Sequence, residues 1–419
     1  MISILKKSAF IKDVTTLSSG IIAANLITIA ASLFLTRLYT PEEIGFLTFL
    51  NSAAIVLANV FSLGYELAVV TPKNNSTAIR LVLGAFYLIA FFSIILLGIV
   101  LVLLWIGFVP NIGLPGEWLI YLPFAVLFLG CFNIAQEWFN RTKNYKLLSY
   151  TKVIQSLGTA LPQILIGYFF LNKIGLVLGF VFGRFISSAI FIWNFMKDKI
   201  FTIYSYSNVF RTLKNYIRYP KYISPTLILD RISLEAPYFL ISIFFSENLL
   251  GFFAISYRVL SVPLSFIGAA IGQVFFKTLA TKKNKLQKLA PPLVKTWLYL
   301  AILGIVPMGI IMAGGAPLFE FVFGDEWGFS GTLAVLLIPM LYLDFISSPT
   351  GRSFLVLKLE HYTPFFSVAR LTCVAGSLYI GYIYESILLG ILLLSLTRAL
   401  TLVIQNLILY LKAKQYDAS

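Results

Sequence analysis

Residues 81–107 read LVLGAFYLIAFFSIILLGIVLVLLWIG, 27 positions without one charged side chain. A bilayer core needs about 20 residues of helix to cross it, so this stretch is long enough to span. It is not an isolated case. Comparable runs lie at 17–36, 44–70, 118–136, 150–170 and 174–195. After a polar interruption they resume at 222–245, 249–276, 293–314, 332–349, 363–381 and 386–411. The whole chain of 419 residues is 59% hydrophobic and 12% charged, with a mean hydropathy of +0.90. No soluble domain needs that much apolar surface. The sequence therefore predicts an all-α polytopic membrane protein of about twelve transmembrane helices.

The formal charge of +15 does not mark a nucleic-acid binder, because it is dispersed through short gaps between apolar runs. Every second gap is basic. One set holds Lys6, Lys7 and Lys12; Lys73 and Arg80; Arg141, Lys143, Lys146 and Lys152; and Lys197 to Lys221. It continues with Lys277 to Lys295, Arg352 and Lys358, and Lys412 and Lys414. The opposite set offers Arg37 and Lys173 among Glu42, Glu43, Glu117, Glu247, Glu320, Asp325, Glu326 and Glu385. The positive-inside rule then places both termini on the cytoplasmic side of the membrane. The basic N-terminus leads into an apolar run reaching Arg37 with no cleavage signal, and reads as a retained first helix.

The longest polar interruption divides the chain into 1–198, a linker at 199–220 and 221–419, six helices on each side. In the linker Tyr204, Tyr206, Phe210, Leu213 and Ile217 interleave with Arg211, Lys214 and Arg218, as in a helix lying on an anionic surface or in a solvated connection. The halves also echo each other. Phe34 to Phe46 and Phe239 to Phe252 both run from an apolar helix through Thr or Ser and an acid to Gly-Phe. A parallel repeat of this kind is common among secondary transporters.

Several predicted spans carry a polar stripe at helical spacing. The first aligns Ser18, Asn25, Thr28, Ser32 and Thr36; the second Thr48, Ser52, Asn59, Ser62 and Glu66. The seventh aligns Ser224, Arg231, Glu235, Tyr238 and Ser242; the eighth Arg258, Ser261, Ser265, Gly268 and Gly272. Small polar residues alone serve equally as glue between helices. Arginines do not. Arg184, Arg231, Arg258, Arg370 and Arg398 lie within spans, where each costs at least about 2.5–3.5 kcal/mol against lipid. Arg231 is spaced to pair with Glu235 on one helical face, and Asp344 is a candidate to pair across helices with Arg370 or Arg398. Arg258, on a stripe free of acids, is the first candidate to meet an anion, since a guanidinium fork donates two hydrogen bonds to a phosphate. Glu66, Asp230, Glu235 and Asp344 are candidates for ion coupling or arginine counter-ions, with Glu137 beside them. In the fifth span Gln155, Thr159, Pro162 and Gln163 mark a kinked, polar helix.

No cofactor or metal is expected. Cys131 and Cys373 sit inside apolar segments, and His361 has no ligand-type neighbours in sequence. There is no Walker loop for ATP. The longest external connection, 315–331, carries Glu320, Asp325 and Glu326 and lacks the catalytic display of a membrane glycan polymerase or glycosyltransferase.

The segments Leu17-Ser18-Ser19-Gly20 and Leu35 to Gly45, Gly64-Tyr65-Glu66-Leu67-Ala68 through Lys73, and Leu250 to Leu260 with Pro263 and Gln273-Val274-Phe275-Phe276 resemble the Wzx-type polysaccharide and O-antigen flippases. These belong to the multidrug/oligosaccharidyl-lipid/polysaccharide (MOP) exporter superfamily. The resemblance implies two six-helix bundles around a central cavity lined by helices one, two, seven and eight. It implies alternating access that carries an undecaprenyl-diphosphate-linked oligosaccharide across the membrane, without enzyme activity. Arg37 and Arg258 are supported as diphosphate contacts by motif position. Arg184 and Arg231 are supported by burial, and Asn25, Asn59 and Ser265 by their stripes. The expected partners are the lipid-linked substrate, membrane lipids and other assembly proteins. A cation-coupled drug exporter of the same superfamily is the alternative, with a cavity expected to be acidic or aromatic.

Overall fold

A computed structural model describes residues 2–107, 116–170, 174–197 and 208–418. Lys173, Lys199, Tyr204 and Tyr206, and the side chains of Lys6, Lys7, Lys12, Leu17, Glu117 and Gln273, lie outside the described residues. Twelve long helices and no strand occur among the described residues. They are α1 (Ile2–Leu38), α2 (Pro41–Phe61), α3 (Asn75–Trp105), α4 (Leu122–Thr142), α5 (Tyr145–Phe170) and α6 (Ile174–Lys197). There follow α7 (Ser224–Phe244), α8 (Glu247–Asn284), α9 (Ala290–Phe323), α10 (Gly328–Ser347), α11 (Thr363–Ile383) and α12 (Ile387–Ala418). Eleven helices are long and apolar enough to cross a membrane. The twelfth, α7, carries Asp230, Arg231 and Glu235 within 21 residues.

The chain divides into two compact units, 1–231 and 232–419. In the first, α1 packs on α5, α5 on α6, and α4 on α2, α3 and α6. In the second, α9 packs on α10, α10 on α8 and α12, and α11 on α12.

The echoed stretches of sequence are helix starts. Thr40 caps α2, its hydroxyl accepting from the Glu43 N–H at 3.4 Å while Glu43 Oε2 accepts from the Thr40 N–H at 3.0 Å. Pro41 follows at the first position, where a missing N–H does no harm. Ser246 caps α8 in the same way through the Leu249 N–H. Both first turns carry glutamates, which complement the positive end of the helix dipole. A third cap comes from far along the chain. The Asp417 carboxylate, in the last turn of α12, accepts from the N–H groups of Leu289 and Ala290 at 2.5 and 2.9 Å, closing the start of α9.

Small residues bring helices into backbone contact, as lipid-embedded packing requires. A Cβ built on Gly331 of α10 would lie 2.1 Å from the Gly315 carbonyl oxygen of α9 and 2.6 Å from Ala316 Cα. No side chain can yield there. Gly331→Ala is expected to destabilise the second unit by about 1–3 kcal/mol, read as a lowered Tm in detergent. An unchanged Tm would show that the two helices separate freely.

Two expectations are corrected. The second span does not continue to Val70. It ends at Phe61, and Leu63 (φ 51°) and Gly64 (φ 72°) turn the chain into a four-residue helix, Tyr65–Ala68. The turn is held by Arg141 of α4, which donates to the carbonyls of Val69, Val70 and Pro72 at 3.2, 3.3 and 2.7 Å. Those carbonyls are met by a side chain, so the helix need not continue to satisfy them. Glu66 is accordingly not on the Thr48–Ser62 stripe. The second correction concerns 315–331. Apart from a break at Gly314, α9 runs on to Phe323, because 316–323 is apolar but for Glu320. A short 3-10 turn, Asp325–Trp327, completes the connection to α10.

Candidate functional site

The polar face of α8 in the second unit has two parts. Gly268 and Gly272 face the 348–350 turn, where Ser348 Oγ would lie 2.1 Å from a Cβ at 268. That part is packing. Ser265 and Ser261, about one and two turns before Gly268, line a cavity of about 350 Å³ with Tyr257. Its other walls carry Asp344, Ser347 and Ser348, then Arg370 of α11 and Arg398, Gln405 and Asn406 of α12.

At its inner wall Arg398 Nη2 donates to Asp344 Oδ1 at 3.1 Å, linking α12 to α10. Asn406 Nδ2 donates to Ser347 Oγ at 2.7 Å between the same helices. Tyr257 stands in the field of Asp344, Arg398, Arg370 and Glu235 together. Two acids and two arginines balance. Hydroxyls and amides around a neutralised pair both donate and accept, the capacity that sugar hydroxyls require.

Arg258, next to Tyr257 in sequence, is outside that lining. It is half-buried on α8 and forms no hydrogen bond or ion pair among the described residues; Tyr238 of α7 lies near it. In the first unit Arg184 of α6 is similar. Its Nη2 donates to Asn51 Oδ1 at 2.8 Å and its Nη1 to the Phe180 carbonyl at 3.2 Å. Its guanidinium carbon stands 3.6 Å from the centre of the Phe180 ring, while the Nε is buried without an acceptor. Asn51 was not among the sequence candidates, although it follows Thr48 by three residues.

The remaining sites are distributed. Arg37 is exposed and caps its own helix at the Leu33 carbonyl, 2.6 Å away. Asn25 is half-buried with no hydrogen bond among the described residues. Asn59 bonds back to the Ile55 carbonyl. Arg231 is exposed and forms no ion pair among the described residues, so the expected pairing with Glu235 is not made. Asp230 is half-buried. Gln163 and Thr159 of the fifth helix lie against Gly179 and Gly183 of α6, and Gln163 Nε2 reaches the Leu176 carbonyl at 2.8 Å. They are packing residues.

Glu66 is different. In the turn between α2 and α3 it is 7% exposed, and its Oε2 has no hydrogen-bond partner. Burial pushes its carboxyl above the ordinary carboxylate range, and the charge of Glu137 adds to the rise. Unfolding lets Glu66 ionise near its usual pKa of about 4.3, while the folded protein holds the proton to higher pH. Stability contributed by this group is thus present at low pH and is lost as pH rises through that window. Glu66→Gln is expected to flatten the slope in a Tm-against-pH series. Equal slopes in both proteins would exclude the shift.

The fold is shared with solved transporters of the MOP superfamily. Similar solved structures include an inward-facing multidrug resistance MATE family transporter of that superfamily (TM-score 0.68, 14% identity, covering 94% of this chain and 96% of the other). Another is the lipid II flippase MurJ in an inward closed conformation (TM-score 0.71, 12% identity, 95% and 90% covered). A variant of the Vibrio cholerae MATE transporter VcmN aligns over 99% and 97% of the two chains at 13% identity and a TM-score of 0.56. Among curated proteins none matches in sequence. The family described as polysaccharide biosynthesis protein matches residues 34–330, most of the chain. The protein belongs to that family, as a multi-pass membrane protein.

Proposed function

We propose that this protein is a flippase for oligosaccharide units linked to undecaprenyl diphosphate, the precursors of O-antigen, capsule or exopolysaccharide. The observation that carries the reading is the presence, inside membrane-spanning helices, of two arginines with no acidic partner among the described residues, Arg258 and Arg184. A cation so placed gains most from an anionic ligand. A lipid diphosphate supplies one while its tail stays in the bilayer. The cavity around Ser261, Ser265, Asn406 and the Asp344–Arg398 pair suits the glycan.

In this reading the segments 1–198 and 221–419 act as two six-helix bundles joined by 199–220, alternating access between the two faces of a bacterial inner membrane. Both termini are cytoplasmic, on the side of the basic loops. Arg37, Arg231, Asn25 and Asn59 are further candidates for the substrate path. Glu66 is the favoured site for a coupling proton, being buried with a vacant oxygen; Asp344 is occupied by Arg398, and Asp230 and Glu235 stand as secondary candidates. The chain itself makes no bond and breaks none.

The test is movement of a lipid-diphosphate-linked oligosaccharide across liposomes containing the purified protein. Protein-dependent movement supports a flippase. No movement with the host's own lipid-linked glycan, with and without an ion gradient, would favour a drug exporter of the same fold.

A further inference from the structure

The polar stretch between α6 and α7 has an inner and an outer face. Residues Val209–Asn215 form a short helix, and Tyr219–Ile223 a single wide turn leading into α7. The inner face is docked on the first unit. Leu213, Tyr216 and Tyr219 pack against the buried cluster of Tyr65, Ile79, Val82 and Trp138. Tyr65 donates its hydroxyl to the Leu213 carbonyl at 3.0 Å, and Leu213 fits so closely over Gly84 that a Cβ there would lie 2.6 Å from its Cδ2. The segment is therefore fixed near the start of α3, which carries Arg80 and follows Lys73, and where Arg141 of α4 reaches Pro72 and Asn75, the basic end of the unit.

The outer face combines two features that water disfavours together. Phe210 is 79% exposed, Tyr222 62% and Ile217 55%. Between them Arg211, Lys214, Arg218 and Lys221 are also exposed, and none forms a hydrogen bond or ion pair among the described residues. No acidic residue occurs from 208 to 229, so nothing in the segment offsets four like charges. Lys221 lies 5.2 Å from the ring of Tyr222, presenting cation and aromatic as one surface. Apolar side chains interleaved with cations at the basic end of a membrane unit match the boundary between acyl chains and phosphates. An acidic soluble protein would complement the cations but leave Phe210 and Ile217 without an apolar partner.

We infer that the outer face of 208–223 is a binding surface for anionic phospholipid, the cations taking headgroup phosphates and Phe210, Ile217 and Tyr222 entering the acyl boundary. Because the inner face is locked to Tyr65 and Gly84, bound lipid holds the segment against the first unit. The inference stands whether or not the protein moves a lipid-linked glycan.

The experiment uses Phe210→Trp in the full-length protein, reconstituted with phosphatidylglycerol or phosphatidylcholine carrying brominated acyl chains. Quenching at position 210 is compared with the same variant carrying R211Q, K214Q, R218Q and K221Q. A control instead replaces Lys282, Lys283, Lys285 and Lys288 by Gln, an equal loss of charge elsewhere. Competition between the two lipids is expected to show a preference for the anionic one of roughly tenfold or more. The preference should fall to about one in the segment variant and persist in the control. Equal quenching by both lipids in the unmodified segment would overturn the inference. So would quenching by neither, which would place the face in water or against a protein. Loss of the preference in millimolar inorganic phosphate at constant ionic strength would assign the surface to a soluble phosphate instead. Should the quadruple variant fail to fold, the lipid preference of Phe210→Trp alone still decides the matter.

Discussion

Alanine at position 258 is expected to reduce transbilayer movement of the lipid-linked glycan by roughly tenfold to a hundredfold. The magnitude follows from removing the proposed charge-assisted hydrogen bond to the substrate diphosphate, about 1.5–3 kcal/mol. Arg258 forms no hydrogen bond or ion pair among the described residues, so its loss strands no partner and membrane abundance should be unchanged. Lysine there should retain part of the activity, because it keeps the charge but not the planar fork. Two readouts are needed, surface glycan and protein level in the membrane. Normal surface glycan with Arg258→Ala would remove this residue from the substrate path.

The second large effect is expected on stability. Asp344→Asn leaves the Arg398 guanidinium without its carboxylate inside the second unit. Breaking a fully buried pair costs about 3–5 kcal/mol. Here Asp344 remains 34% exposed, so solvent screening reduces the expected loss to about 1–3 kcal/mol. Arg398→Gln should cost less, since a partly exposed carboxylate is more readily rehydrated. The double exchange D344R with R398D should recover much of the loss in thermal unfolding. Additive losses with no recovery would mean that the pair is geometric rather than energetic.

The fold was legible because the bilayer imposes a length and a polarity on each crossing that few other environments require. Twelve runs in sequence correspond to twelve long helices, and the least apolar, α7, is the one that carries three charges. The breaks were less legible. Ser62 to Val70 is apolar enough to pass as helix, and nothing local announces that Arg141, about seventy residues on, will take the carbonyls of the turn. The stretch 315–331 misled for the opposite reason: its glycines and acids imitate a loop, whereas Gly315 and Gly331 are there to let two helices touch.

The candidate site was partly legible. Charge inside a span is what singles out Arg184 and Arg258 as candidates, and the Asp344–Arg398 pair is one of the two cross-helix partners expected for Asp344. Periodicity could not say which polar residues face a cavity and which face a neighbouring helix. Thr159 and Gln163 look as functional in sequence as Ser261 and Ser265, yet the first two pack on glycines and the last two line a cavity. Asn51, which holds Arg184, carries no mark beyond its place beside the stripe.

The cap that Asp417 provides to α9 has a consequence in time. The two are separated by about 128 residues of chain. At a synthesis rate of roughly 5–20 residues per second, α9 enters the membrane some 6–25 seconds before its cap exists. During that interval the first N–H groups of α9 have water or lipid headgroups as their partners. The start of α9 is thus closed only by a helix made about 128 residues later, so its first turn is among the parts of the second unit that wait longest for a partner.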